Sequence, residues 1–244
     1  MKINKGDIFQ LNNNRVMCGD SLSLIDVQTL MNKKKAQMMF TDPPYNVDYK
    51  RQGHAWKHDY KTEIKDFKDT DFEIGKLLKL LEMGFVEGAV YMCCGLNQVG
   101  KICDWSVKTL KLNPTMIIWL KSNFSIMRGH YNRRYEQIMY FWFDKNKWRG
   151  EKSMANTDVW YIQNRDVGKY IPPTQKPLRL IMKAIENNSD KGDIVLDLFG
   201  GSGSTLISCE KTDRICYTME IDPHYCEKII NRWEQLTGKK SIKL

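Results

Sequence analysis

The stretch "DIVLDLFGGSGSTLISCEK", residues 193–211, constrains this chain more than any other. A short β-branched run ends on Gly200, Gly201 and Gly203 and passes straight into residues with helical spacing. That reads as a buried strand, a tight turn and a helix. A second strand is predicted at "ICYTMEI" (215–221), so the unit is strand–helix–strand, the connection that joins parallel strands. After Pro223 a last helix is expected, with Tyr225, Ile229, Ile230, Trp233 and Leu236 on one face and Gly238 as its stop. "PLRLIMKAIENN" (177–188) reads as a helix opened by its proline.

The N-terminal half repeats the alternation. "NRVMCGD" is strand-like, "SLSLIDVQTLM" helical and "AQMMFT" a strand. "TDFEIGKLLKLLEMG" predicts a helix with a capping box from Thr70 to Glu73 and a stop at Gly84. "GAVYMCC", "TMIIWLK" and "EQIMYFWF" predict further strands, with a helix around 97–111. Strands alternating with helices argue for an α/β chain with a doubly wound, mostly parallel sheet, here one domain over 1–244. Two long polar stretches fit that sheet poorly and are expected to be functional: a mobile basic loop at 46–69 and a segment at 144–172.

Composition narrows the class. The 244 residues are 42% hydrophobic, enough for a sizeable core, and carry a formal charge of +9, which favours a polyanionic partner. Seven scattered cysteines without a C-x-x-C pair read as reduced thiols in a cytoplasmic protein, with Cys93 and Cys94 in a core strand. No metal site is expected, and His54 and His58 read as a solvated pair. The N-terminus has no apolar signal region and no run reaches the length of a membrane span, so no membrane partner is expected.

The glycine loop lies where an open α/β sheet binds its ligand. The dinucleotide fingerprint fails, because its third glycine would fall on Leu206, and no G-K-[ST] follows. The loop is therefore expected to take a nucleoside rather than a pyrophosphate. Glu220 stands about 20 residues on, the usual interval for an acid that binds ribose hydroxyls, with Asp222 as the competing choice.

"FTDPPYN" (40–46) ends another buried strand on two prolines. An exocyclic amino group on a base is a poor nucleophile, since its lone pair is delocalised into the ring. Two acceptors that each take one N–H favour a pyramidal nitrogen. Asp42 supplies a carboxylate and Pro43 a carbonyl. The prolines at 43 and 44 fix φ and remove N–H donors. Tyr45 offers a ring on which a flat base can stack, worth roughly 1–3 kcal/mol. The tetrad reads as a clamp for a planar heterocycle bearing an NH2.

Together, "DPPY", "TQKP", "DLFGGSGSTL" and "MEID", with the tetrad near the N-terminus and the cofactor loop near the C-terminus, resemble the circularly permuted beta group of S-adenosylmethionine-dependent DNA amino-methyltransferases over nearly the whole chain. The resemblance implies a Rossmann-like methyltransferase sheet with an antiparallel edge hairpin, S-adenosyl-L-methionine as cofactor, and double-stranded DNA as partner. Position by position it implies Asp42, Pro43, Pro44 and Tyr45 as the catalytic tetrad. It places Asp197, Phe199, Gly200, Gly201 and Gly203 in the methionine loop, with Ser204 and Thr205 opening its helix. Glu220 or Asp222 would take the ribose and Asp20 the adenine, while Gln175, Lys176 and Pro177 precede the helix that closes the pocket.

Asp42 at the first tetrad position implies methylation of adenine N6 in a flipped base, with N4 of cytosine or an RNA base as alternatives. A non-catalytic nucleic-acid module and a nicotinamide-dependent oxidoreductase are the rival classes. DNA contacts are expected from Lys50, Arg51, Arg128, Arg133 and Arg134, and target recognition from 144–172, where Trp148, Trp160 and Tyr161 read either as a small core or as base contacts. A recognition segment this short accommodates a homodimer or a short site. Restriction–modification, and with it a cognate endonuclease, is the setting the resemblance implies, in a bacterium, plasmid or phage.

Overall fold

The computed structural model of the chain describes residues 2–45, 72–125, 130–151, 153, 156–163 and 175–244. The basic loop at 46–69, with His54, His58, Lys50 and Arg51, therefore lies outside the described residues, as does Arg128.

In chain order the elements are β1 Ile8–Leu11, β2 Asn14–Cys18, α1 Leu24–Met31, β3 Ala36–Thr41, α2 Ile74–Leu81 and β4 Val86–Cys94. Then come α3 Leu96–Trp105, prolonged by a π-helical turn Ser106–Leu110, β5 Thr115–Ser125, β6 Arg133–Trp142 and β7 Val159–Tyr161. The chain ends with α4 Leu178–Asn188, β8 Ile194–Asp197, α5 Ser204–Lys211, β9 Ile215–Glu220, α6 Pro223–Thr237 and β10 Ile242–Lys243.

All the strands form one sheet in the order β10-β1-β2-β9-β8-β3-β4-β6-β5-β7. The central run from β2 to β4 is parallel. The β5–β6 hairpin lies antiparallel against β4. Successive side chains on a strand point to opposite faces, and the core divides accordingly. Met38 and Phe40 pack with α4, α5 and α6, whereas Met39 packs with α1, α2 and α3. From β3 the chain crosses over α2 to β4 on one side; from β8 it crosses over α5 to β9 on the other. Right-handed crossovers in opposite directions must use opposite faces, which is why the helices separate this way. The switch point of the sheet is therefore the gap between the C-terminal ends of β3 and β8, where Met39 pairs with Leu196.

Three expectations need correction. Glu73 is the N-cap of α2, without a side-chain bond, so the helix begins beyond the expected capping box. Pro177 is the N-cap of α4 rather than its first residue. On α6, Cys226 joins Ile229, Ile230 and Trp233 in the core, while Leu236 is exposed and Tyr225 only half-buried. The face is one residue narrower at each end than the apolar pattern implied. Burial of each large core side chain still contributes about 1.5–3 kcal/mol. The strands β1, β7 and β10 are only four, three and two residues long, too short to show a period in the sequence. The cysteines are all free thiols, with Cys93 and Cys94 buried in β4. Among the described residues no helix is long and apolar enough to cross a membrane, and no group of three or more His, Cys, Asp or Glu could hold a metal ion.

Candidate active site

Two loops leave the sheet at its switch point. The first follows β8. The Asp197 carboxylate, almost fully buried, accepts the Phe199 N–H at 3.1 Å. Burial pushes Asp197 up to about 6, against hydrogen bonds from Thr205 and the Phe199 amide, and the Asp42 charge adds to the rise. Gly200 is held against β9, its N–H donating to the Met219 carbonyl at 2.7 Å. A Cβ at Gly200 would stand 2.6 Å from Thr218 Oγ1 and 3.0 Å from Ile229 Cδ1, so no side chain fits. Gly203, at φ +80°, is the N-cap of α5 in the left-handed region that glycine adopts without strain. Ser204 and Thr205, both buried, open α5.

Glu220, at the end of β9, closes this half. Its Oε2 accepts the Gly201 N–H at 2.7 Å and its Oε1 the Asp222 N–H at 3.0 Å. Burial pushes the carboxyl up to about 7 in spite of those bonds. Asp222 also caps α6, its Oδ1 accepting the His224 N–H at 2.8 Å. Asp20 sits beside Glu220, because Gly19 N–H donates to the Glu220 carbonyl at 3.0 Å, and its Oδ1 accepts the Leu22 N–H at 2.9 Å. Gln175 reaches the same loop, where its amide oxygen, oriented to suit its neighbours, accepts from Arg232 Nη2 at 2.9 Å and from Ser204 Oγ at 3.2 Å. Arg232 also donates to the Ser202 carbonyl at 2.9 Å.

The donor set of this half suits a nucleoside: Glu220 stands at the strand end beside the glycine turn, and each of its oxygens keeps lone-pair capacity for a hydroxyl.

The second loop follows β3. Tyr45 Oη donates to Asp42 Oδ1 at 2.7 Å, and Lys176 Nζ lies 2.5 Å from Asp42 Oδ2 and 5.4 Å from the centre of the Tyr45 ring. Two carbonyls of the tetrad are tied to α3: Gln98 Nε2 donates to Pro44 O at 2.7 Å and Asn97 Nδ2 to Tyr45 O at 3.1 Å. The Pro43 carbonyl has no partner among the described residues. Lys176 is also 3.2 Å from Glu136 Oε2, and Glu136 Oε1 pairs with Lys121.

Two carboxylates and two ammonium groups thus form one closed network. Burial pulls the Lys176 ammonium down, but Asp42 and then Glu136 outweigh it and hold it well above the usual lysine range. Burial pushes Glu136 up, yet Lys176 and Lys121 bring it to about 2. Burial, then Asp42 and Glu136, keep the Tyr45 hydroxyl protonated far above its ordinary value.

Glu136, Lys121, Gln98 and Arg232 escaped sequence reasoning. A lone acid within the apolar strand "YEQIMYFW" was the available signal for Glu136. Arg133 and Arg134 flank the hairpin at the start of β6, with the Arg133 guanidinium 5.9 Å from the Tyr135 ring and Arg134 Nη2 3.4 Å from the Lys121 carbonyl. Of the three aromatics in 144–172, Trp160 is buried on β7, whereas Trp148 and Tyr161 are exposed.

Comparison with known proteins bears on the family and the fold. The model of a family described as "DNA methylase" matches residues 36–232. The type II methyltransferase M2.MboI of Moraxella bovis is 26% identical, with 87% of this chain and 86% of that protein covered. The DNA adenine methyltransferase YhdJ of Escherichia coli K12 is 24% identical, with coverage of 82% and 76%. Among solved structures, the complex of M1.HpyAVI with S-adenosylmethionine superposes with a TM-score of 0.62 at 23% identity, covering 89% of this chain and 98% of that one. The cytosine-N4-specific PvuII methyltransferase superposes at 0.64 with 14% identity, covering 97% and 98%.

Proposed function

The chain belongs to the DNA methylase family, as a DNA amino-methyltransferase using S-adenosylmethionine, and on that premise we propose that it methylates the N6 amino group of an adenine flipped out of duplex DNA. The observation that carries this reading is the convergence of Asp42, fixed by Tyr45 and Lys176, with the Asp197–Gly203 loop at one switch point of the sheet. Aspartate at the first tetrad position and the adenine activity named for the Escherichia coli relative support adenine over cytosine.

S-adenosylmethionine supplies an electrophilic methyl group when bound. Glu220 would take the ribose hydroxyls, beside Asp222, whose Oδ1 caps α6. Asp20 would face the adenine, and Asp197 with Phe199, Gly200, Gly201, Gly203, Ser204 and Thr205 the methionine end. Gln175, Lys176 and Pro177 lead into α4 along the edge of the pocket. Asp42 and the Pro43 carbonyl accept the two N–H bonds of the target amino group and turn its lone pair outward. Tyr45 stacks on the base. After transfer, the proton leaves the nitrogen for Asp42 Oδ2 or for water. Orientation is the main contribution.

The remaining assignments belong to the same reading. Arg133 and Arg134 contact phosphates, together with Lys50, Arg51 and Arg128. The segment 144–172 reads the site, which leaves room for a homodimer and for a cognate endonuclease in the cytoplasm of a bacterial host. The test is nucleoside analysis of DNA and RNA after incubation with labelled cofactor. Labelled N6-methyldeoxyadenosine from duplex DNA is expected. Labelled N4-methylcytosine, or label in RNA alone, overturns the assignment.

A further inference from the structure

We infer that Lys176 is a two-position cation and Glu136 the residue that receives it: the ammonium rests on Asp42 while the target site is empty and moves to Glu136 when the target amino group arrives. This deepens the reading of Asp42 as the amino-group acceptor and rests on it. Both Asp42 oxygens accept a strong hydrogen bond from the protein itself, Oδ1 from Tyr45 at 2.7 Å and Oδ2 from Lys176 at 2.5 Å. Oδ2 keeps a second lone pair, but an N–H of the target, carrying partial positive charge, meets there the ammonium that holds the same oxygen at 2.5 Å. Expelling the ammonium to solvent would leave the half-buried Asp42 without its cation and Glu136 with Lys121 alone, a costly arrangement.

Glu136 removes that difficulty. Its Oε2 already lies 3.2 Å from Nζ, so a displacement on the order of 1 Å completes the exchange without breaking contact with an anion. Lys121 holds Glu136 from the other side and keeps it in place. Lys176 has its ammonium within reach of both carboxylates and its side chain only 10% exposed, so the exchange happens away from bulk water. Glu136 is thus a positioning residue that acts on Asp42 through Lys176.

Glu136→Gln tests this. It leaves Lys176 with Asp42 as its only anionic partner, so the single-turnover methylation rate should fall about 10²-fold, as for a misplaced reacting group, with cofactor affinity unchanged and the DNA KM within a factor of about two. Adding Lys176→Met frees Asp42 again and should recover roughly tenfold or more of the lost rate. A rate per folded molecule that is unaffected in Glu136→Gln, or that Lys176→Met fails to improve, overturns the inference.

Should Glu136→Gln not fold, the wild-type enzyme decides. In a crystal structure with duplex DNA and a non-reactive cofactor analogue, Nζ should lie on Glu136 and beyond hydrogen-bond reach of Asp42; an ammonium still on Asp42 overturns the inference. Asp42→Ala separates this from the reading beneath it. If that variant keeps turnover, the role of Asp42 is wrong; if it is dead while the double variant shows no recovery, only the exchange is wrong.

Discussion

The two sides of the crevice are built by different means. On the cofactor side, carboxylates meet backbone: Asp197 and Glu220 accept main-chain N–H groups within a few residues of the glycine turn or across one strand pairing. On the target side, charges meet charges: Asp42, Lys176 and the hairpin pair Glu136 and Lys121 come from three distant parts of the chain and neutralise one another. Burial lifts Asp197 and Glu220 to about 6 and 7 against their backbone hydrogen bonds, whereas two full ammonium charges overcome burial and hold Glu136 down at about 2. A site made of backbone is rigid and tuned by protonation. A site made of opposed side-chain charges can exchange partners.

The sharpest way to break that contrast is Asp42→Ala. It should lower the single-turnover rate by about 10³-fold or more, with cofactor affinity within a factor of about two of wild type. Lys176 keeps Glu136 as a partner in that variant, so the fold should survive. Loss of cofactor binding would show that the two sides are not separable.

Gly200→Ala should do the reverse. The new Cβ collides with Thr218 Oγ1 at 2.6 Å and Ile229 Cδ1 at 3.0 Å, an overpacking that costs about 1–3 kcal/mol. Cofactor affinity should fall by about tenfold and the melting temperature by several degrees. Titration calorimetry and a thermal melt measure the two effects.

The protonation difference gives a third test. Asp197 and Glu220 are ionised only above about 6 and 7, and a ligand's ammonium or hydroxyl donors bind the ionised forms. Cofactor affinity should therefore weaken as pH falls from 8 to 5.5, by roughly tenfold for each group carried one unit below its value. Glu220→Gln should remove the upper of the two inflections. A flat profile would mean that neither carboxylate meets the cofactor.

The smallest effect is expected at the rim. Arg134→Ala should weaken DNA binding evenly across sequences and reduce the slope of log affinity against log salt by about 1. An unchanged slope removes Arg134 from the interface.

Legibility in the sequence follows the same division. The turn at Gly200–Gly203, its flanking strand and helix, and the acid at the next strand end are local in sequence, so period and punctuation reveal them. The Asp42 tetrad is equally local, and its prolines mark it. Glu136 and Lys121 are not legible that way. Each is a charge inside an apolar strand, and its meaning depends on β6 lying beside β4 and β5, a pairing that the pattern of β6 alone does not specify. The cap at Asp222 was hidden for a related reason. An acid at the end of a strand and the start of a helix has the same place in the sequence whether or not it caps, and its bond to the His224 amide is seen only in the fold. The strand β7 was missed because three residues carry too little periodicity to stand out of a polar segment.

Photocrosslinking tests the central claim most directly, once the recognition sequence has been mapped. A duplex with 5-iodouracil in place of the target base, irradiated with a non-reactive cofactor analogue present, should attach to Tyr45. A cross-link that maps elsewhere, with Tyr45 unmodified, would mean that the strand end carrying Asp42 does not hold the extruded base.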